Sequence, residues 1–148
     1  YGHEATARIA HFYKTHVNHL PVDVSPRTPF CGSDLLEAQL TNEMPGDDFQ
    51  TDLTALQSAL AAQNLTIPLL FKHYSQATSK DGVSFSAFNV DPAFGNCGDA
   101  FVIAELTRLL PKKKRRYLGE AWQHRPMNGK SQEEPALTPE AANAATNR

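Results

Sequence analysis

The sequence predicts a mixed α/β domain in which helices pack on an antiparallel hairpin of an incomplete sheet. Three observations carry that expectation. Apolar residues recur at helical spacing through most of the first 77 positions. Two runs rich in aromatic and β-branched residues, "VSFSAFNV" and "AFVIAEL", then follow, and the connection at residues 91–99 is too short for a helical crossover. Two strands alone are marginal in water, yet no other segment reads as a strand.

The elements follow in order. In "HEATARIAHFYKTHVNHL", Ile9, Phe12, Tyr13, Val17 and Leu20 are spaced for one helical face, with Pro21 expected to close the helix. "VDVSPRTPF" has two prolines and reads as an extended loop. "SDLLEAQL" is a short helix capped by Ser33, and "MPGDD" is a turn. In "DDFQTDLTALQSALAAQN", Phe49, Leu53, Leu56 and Leu60 make an apolar stripe, with Asp47 and Asp48 at the end where the helix dipole favours negative charge. "IPLLFKHYSQAT" starts another helix with Pro68 in its first turn, and "SKDG" breaks it before the strands.

Length and composition bound the rest. With 148 residues, 41% apolar and 20% charged, the chain has an ordinary globular composition. No window approaches the ~18 uninterrupted apolar residues of a membrane span. Residues 1–122 form the expected domain. Residues 123–148 hold three prolines and few large apolar side chains, so they are expected to be a disordered tail. Cys31 and Cys97 have neither the number nor the spacing of a zinc site or disulfide scaffold, which favours a reducing, cytoplasmic setting. Apolar helices, a hairpin short of its sheet and a first residue other than methionine together read as the C-terminal half of a larger α/β unit.

Charge is segregated. Between Thr28 and Phe71 there are six acids and no lysine or arginine, whereas Arg108, Lys112, Lys113, Lys114, Arg115 and Arg116 crowd into "RLLPKKKRRYL". The net charge of −2 hides this dipole. The basic run reads either as a solvated chain end or, beside Leu109, Leu110, Tyr117 and Trp122, as a docking surface for an anionic membrane or an acidic protein. Nucleic acid is the weaker partner, because stacking aromatics are not interleaved with the charges. His11, His16 and His19 lack an HExxH pattern, so no metal site is expected. No GxSxG elbow or phosphate loop is present.

The stretch "NVDPAFGNCGDAFVIAEL", residues 89–106, concentrates turn residues between apolar flanks. Asp91 and Pro92 initiate a turn, Gly95 and Gly98 permit unusual backbone angles, and Asn96 and Asp99 can bond local amides. A structural hairpin loop has this composition. A loop of this length on rigid strands also suits function, with Asp91 or Asp99 orienting an ammonium or hydroxyl.

The succession "IPLLFKHYSQA", "GVSFSAFNVDPAFGNCGDAFVIAEL" and "LLPKKKRRYLG" resembles the C-terminal segment of hemolysin-like acyltransferases, relatives of the GNAT N-acyltransferases of the ornithine-lipid type. Pro68, Lys72, Tyr74, Gly82, Asp91, Pro92, Phe94, Asn96 and Asp99 match that pattern, and the resemblance covers about residues 1–120. Gly98 departs from it, where a larger apolar residue is the family's habit. The resemblance implies the C-terminal half of a GNAT-like fold and transfer of a fatty acyl group to an amine of an amino acid or lipid precursor. Acyl carrier protein or acyl-CoA is the implied donor, with no bound cofactor. It implies substrate contacts at Asp91, Phe94, Asn96 and Asp99, with Lys72 as a helix-borne contact; no catalytic residue is assigned. Residues 112–116 would dock acyl carrier protein or the inner membrane face. The donor-binding half of the domain would precede Tyr1, leaving this segment inactive alone. The rival reading is a non-catalytic module that binds an acidic protein or anionic membrane.

Overall fold

The computed structural model describes residues 1–119. The elements are α1 (His3–His16), α2 (Asp34–Glu43), α3 (Phe49–Ala61), α4 (Leu69–Ser75), β1 (Val83–Asp91), β2 (Cys97–Ala104) and α5 (Pro111–Leu118). The described chain is therefore mixed α/β, with five α-helices and a two-stranded antiparallel sheet. The tail expected at residues 123–148, and Trp122 before it, lie outside the described residues.

The apolar stripe of α1 buries Ala5, Ile9, Phe12 and Tyr13. The helix ends at His16, short of the expected stop at Pro21, because Val17 leaves the helical region and turns its carbonyl to the sheet. That carbonyl accepts from the Phe85 N–H at 2.7 Å. Ser33 caps α2 through the Leu36 N–H at 3.2 Å, and Asp48 caps α3 through the Thr51 N–H at 2.8 Å, as their side-chain chemistry predicts. Arg8 bridges Glu4 at 3.0 Å and Glu43 at 3.1 Å, tying α1 to α2. The face that α3 buries is Asp52, Leu56 and Leu60, while Phe49 stays 43% exposed. The expected leucine stripe is thus rotated to take in a carboxylate. Pro68 sits just before α4, a helix of two turns that leaves Leu69 and Leu70 exposed and sends Phe71 inward.

In β1 the register shifts between Phe85 and Ala87, so Ser86 is an extra residue opposite the partner strand. A bulge of this kind resets the alternation of side chains. Phe85 and Phe88, three apart, therefore share one face. The ring centroid of Phe85 lies 4.5 Å from Tyr13 and 5.0 Å from Phe71, and Phe88 lies 6.3 Å from Phe71. Ala100, Val102 and Ala104 of β2 join this core from the same side of the sheet.

The other edge of β1 is also paired. Asn18 bridges Ser84 and Pro29 bridges Asn89, both antiparallel. Phe30 N–H donates to Phe88 at 3.0 Å, and Val90 N–H donates to Thr28 at 2.8 Å. The proline-bearing loop thereby serves as an interrupted third strand, which a sequence pattern cannot announce because only one or two residues at a time touch the sheet. β2 begins at Cys97, so the connection is residues 92–96, shorter than the nine residues expected. A 3-10 turn at Pro92–Phe94 and left-handed Gly95 and Asn96, with φ of 63° and 60°, reverse the chain within that span.

The basic run is helical. Pro111 opens α5, and Leu110 N–H donates to Ala77 at 3.0 Å, fixing the helix start to the end of α4. If the face shared by Phe85 and Phe88 is the centre of the core, Phe85→Ala costs about 3–5 kcal/mol in urea unfolding, seen as a lower midpoint at unchanged slope. Phe94→Ala, at a ring 78% exposed, changes stability by less than about 0.5 kcal/mol.

Candidate functional site

The site residues singled out by sequence fall in three places. The first is the hairpin tip. Asp91 Oδ1 accepts from the Ala93 N–H at 2.8 Å and so builds the turn itself. Phe94 projects into solvent, and Asn96 holds the left-handed position. Asp99 lies on β2 opposite Asn89, whose Oδ1 accepts from Thr28 N–H and Oγ1 at 2.9 and 2.8 Å. A small recess of about 70 Å³ lies between the start of β2, α1 and the start of α4, bordered by Asp99, Gly98, Thr6, Ile9, Pro68 and Phe71. Gly98 has a packing reason: a Cβ there would come within 2.5 Å of the Thr6 methyl on α1, which would have to move to admit it. The same holds at Gly82, where a Cβ would meet Thr78 at 2.7 Å and Arg108 at 2.8 Å.

The second place is α5. Lys112, Lys113, Lys114, Arg115 and Arg116 are exposed or half-buried, and none makes an ion pair among the described residues. Lys113 and Arg116 instead lie over the Tyr117 ring at 6.0 and 5.8 Å. Lys112, Lys113 and Lys114 lie toward the start of the helix, where they oppose its dipole, whereas Arg115 and Arg116 lie in its last turn, where they complement it.

Lys72 lies in the third place, a cleft of about 810 Å³ that it shares with residues of α1 and α3. Phe12, Tyr13, Val17, Phe49, Leu53, Ile67 and Val83 give it an apolar floor. At its wall is a pair that sequence reasoning missed. His16 Nε2 meets Asp52 Oδ2 at 2.8 Å, with the two side chains only 8% and 1% exposed. The same Asp52 oxygen accepts from the Gly46 N–H at 2.8 Å, while Oδ1 is buried without a partner among the described residues. Phe12 and Phe49 flank the imidazole at 5.0 and 5.4 Å. A carboxylate that fixes one imidazole nitrogen leaves the other to exchange a proton or bond a ligand. Residues 16 and 52 are 36 apart, so no local motif marks them. The one signal is an aspartate four residues before Leu56, on the face that α3 buries.

His19 and Asp81 face each other at 3.5 Å on the rim, both well exposed. Among the described residues no group of three metal-ligating side chains converges. Burial holds the Tyr13 phenol above its ordinary value of 10.0, against an opposing hydrogen bond with Ser75. No helix of the described residues is long and apolar enough to cross a membrane. Comparison of the chain with family models, curated proteins and solved structures finds no match.

Asp52→Ala leaves the Gly46 amide and His16 without their acceptor, and an expected loss of about 2–4 kcal/mol is read by denaturant unfolding. A raised phenol pKa contributes stability that is complete below the ordinary value and is lost as pH rises through the raised one. The melting temperature is therefore expected to fall above pH 10.0, and Tyr13→Phe should flatten that decline.

Proposed function

We propose that the chain is the acceptor-side segment of a GNAT-like, lipid-related N-acyltransferase. It takes a fatty acyl group from acyl carrier protein or acyl-CoA and passes it to an amine of an amino acid or lipid precursor. The observation that carries this reading is the continuity of the motif residues. Pro68, Lys72, Tyr74, Gly82, Asp91, Pro92, Phe94, Asn96 and Asp99 lie on α4, β1, β2 and the turns that join them. At Gly82 a Cβ would collide with Thr78 and Arg108, and Asp91 supplies the side-chain acceptor that the turn uses.

The reaction sets its own requirements. A neutral amine attacks the thioester carbonyl, a C–N bond forms, the C–S bond breaks, and the thiol leaves with the carrier. A carboxylate or water takes the amine proton, and backbone amides hold the developing oxyanion. In this reading Asp99, Asn96 and Asp91 position the acceptor at the hairpin tip with Phe94 covering it, and Lys72 is a further contact from α4. In this reading the α5 cations, which make no ion pair among the described residues, complement an acidic carrier protein or an anionic membrane, and the reaction runs in the bacterial cytoplasm, peripheral to the inner membrane. The acyl donor, in this reading, is held by a part of the domain outside these residues.

The test is transfer of a labelled acyl group from acyl carrier protein to a panel of amino acid amines, with this chain alone and with its full-length parent. Turnover by the parent alone is the expected result. Turnover by neither sinks the acyltransferase and leaves a binding module. Replacing Lys112, Lys113 and Lys114 by Glu is expected to weaken low-salt binding to acyl carrier protein or anionic vesicles at least about a hundredfold, at about 1 kcal/mol per charge removed. In the parent, Asp99→Asn should cut turnover at unchanged melting temperature; a change in melting temperature alone would make Asp99 a structural residue.

A further inference from the structure

Apart from Lys72, the cleft between α1, α3 and α4 has no part in that reading, and its lining divides by chemistry. The floor is apolar: Phe12, Tyr13, Phe49, Leu53, Ile67 and Val83. The rim carries Lys72 and Lys80, neither in an ion pair among the described residues. The lining's one carboxylate, Asp81, is 3.5 Å from His19, and set against the two lysines it leaves the lining with a formal excess of one positive charge. The volume of about 810 Å³ lies within the range of small-molecule sites, which are mostly apolar with a few polar groups that fix orientation.

These features select among ligands. A wholly apolar molecule would leave that excess charge unmatched, and a cation would add to it. We propose that this cleft binds an amphiphilic monoanion, a molecule with one carboxylate head and one apolar body, the head between Lys72 and Lys80 and the body against the aromatic floor. His16 adds a third polar group. Asp52 accepts from its Nε2, so Nδ1 of the neutral ring, which makes no hydrogen bond among the described residues, is an acceptor and serves a donor group of the ligand rather than the carboxylate head. The site requires no acyl donor and no second half of the domain, so it stands whether or not the chain belongs to an acyltransferase.

The experiment is calorimetric titration of the full chain with decanoate below its micelle-forming concentration, set against acetate, which has the head alone, and 1-decanol, which has the body alone. One decanoate per chain is expected, with acetate and 1-decanol weaker by at least about tenfold. The variant Lys72→Glu, Lys80→Glu should weaken decanoate by about tenfold or more, whereas Lys112→Glu, Lys113→Glu in α5 should leave it unchanged. Equal affinity for 1-decanol, an unaffected cleft variant, or loss of binding in the α5 variant would each overturn the proposal. Should the cleft variant fail to fold, nuclear magnetic resonance on the unaltered chain decides the matter. Decanoate-induced shifts at His16, Leu53 and Ile67 support the site, and shifts confined to residues 111–118 refute it.

Discussion

β1 is held along both edges, and most of the fold depends on that. On one side it pairs with β2 from Val83 to Asp91; on the other, the carbonyls of Val17 and Thr28 accept from Phe85 and Val90, and Phe30 donates to Phe88. An isolated hairpin would leave those inner donors to water and would be marginal. Drawing residues 17–18 and 28–30 onto the strand ends α1 at His16 and aims the following loop back across the molecule. The extra residue Ser86 then turns Phe85 and Phe88 to the same side, where Tyr13 from α1 and Phe71 from α4 meet them. Strand pairing and aromatic packing therefore support one another: without the bulge, the second phenylalanine would face away from the helices.

The same constraint creates the cleft. Because α1 stops early, His16 lies at its end, where Asp52 of α3 can reach it. Asp52 ties together α1, the turn at Gly46 and α3, so one buried carboxylate sets the mutual position of three segments. What is left between those helices and α4 is an apolar hollow edged by lysines. Hairpin tip, basic helix and cleft are thus different kinds of surface: a polar turn, a cationic helix and an amphipathic cavity. Only the last is lined by a member of a buried His–Asp pair, His16.

Local signals account for the parts that were legible in the sequence. The spacing of Ile9, Phe12 and Tyr13, the caps at Ser33 and Asp48, and the two β-rich runs each specify a nearby hydrogen bond or a nearby face, and each element formed where those residues stand. The nonlocal features were not legible. Thr28 and Val90 meet across 62 residues and His16 and Asp52 across 36, separations at which a single sequence carries no pairing information. α5 escaped a helical reading because its five consecutive cations have no apolar period. The hairpin loop was read too long because Cys97, Gly98 and Asp99 look like turn residues, yet pairing with Asp91, Val90 and Asn89 draws them into the strand. Of the candidate site, the residues at the tip and on α5 were visible as composition; the cleft was not, since its lining comes from separate stretches of chain, within 12–19, 49–57 and 67–83.

Hydrogen exchange at single amides tests the double pairing of β1 most directly. The Phe85 and Val90 amides point away from β2, toward Val17 and Thr28. If β1 is an interior strand, both exchange only by global unfolding, as slowly as the core amides of α1 and with the same dependence on denaturant. If those two amides exchange as fast as exposed loop residues while the amides bonded to β2 stay protected, the hairpin stands alone, and the account of how α1, the cleft and the aromatic core are positioned is wrong.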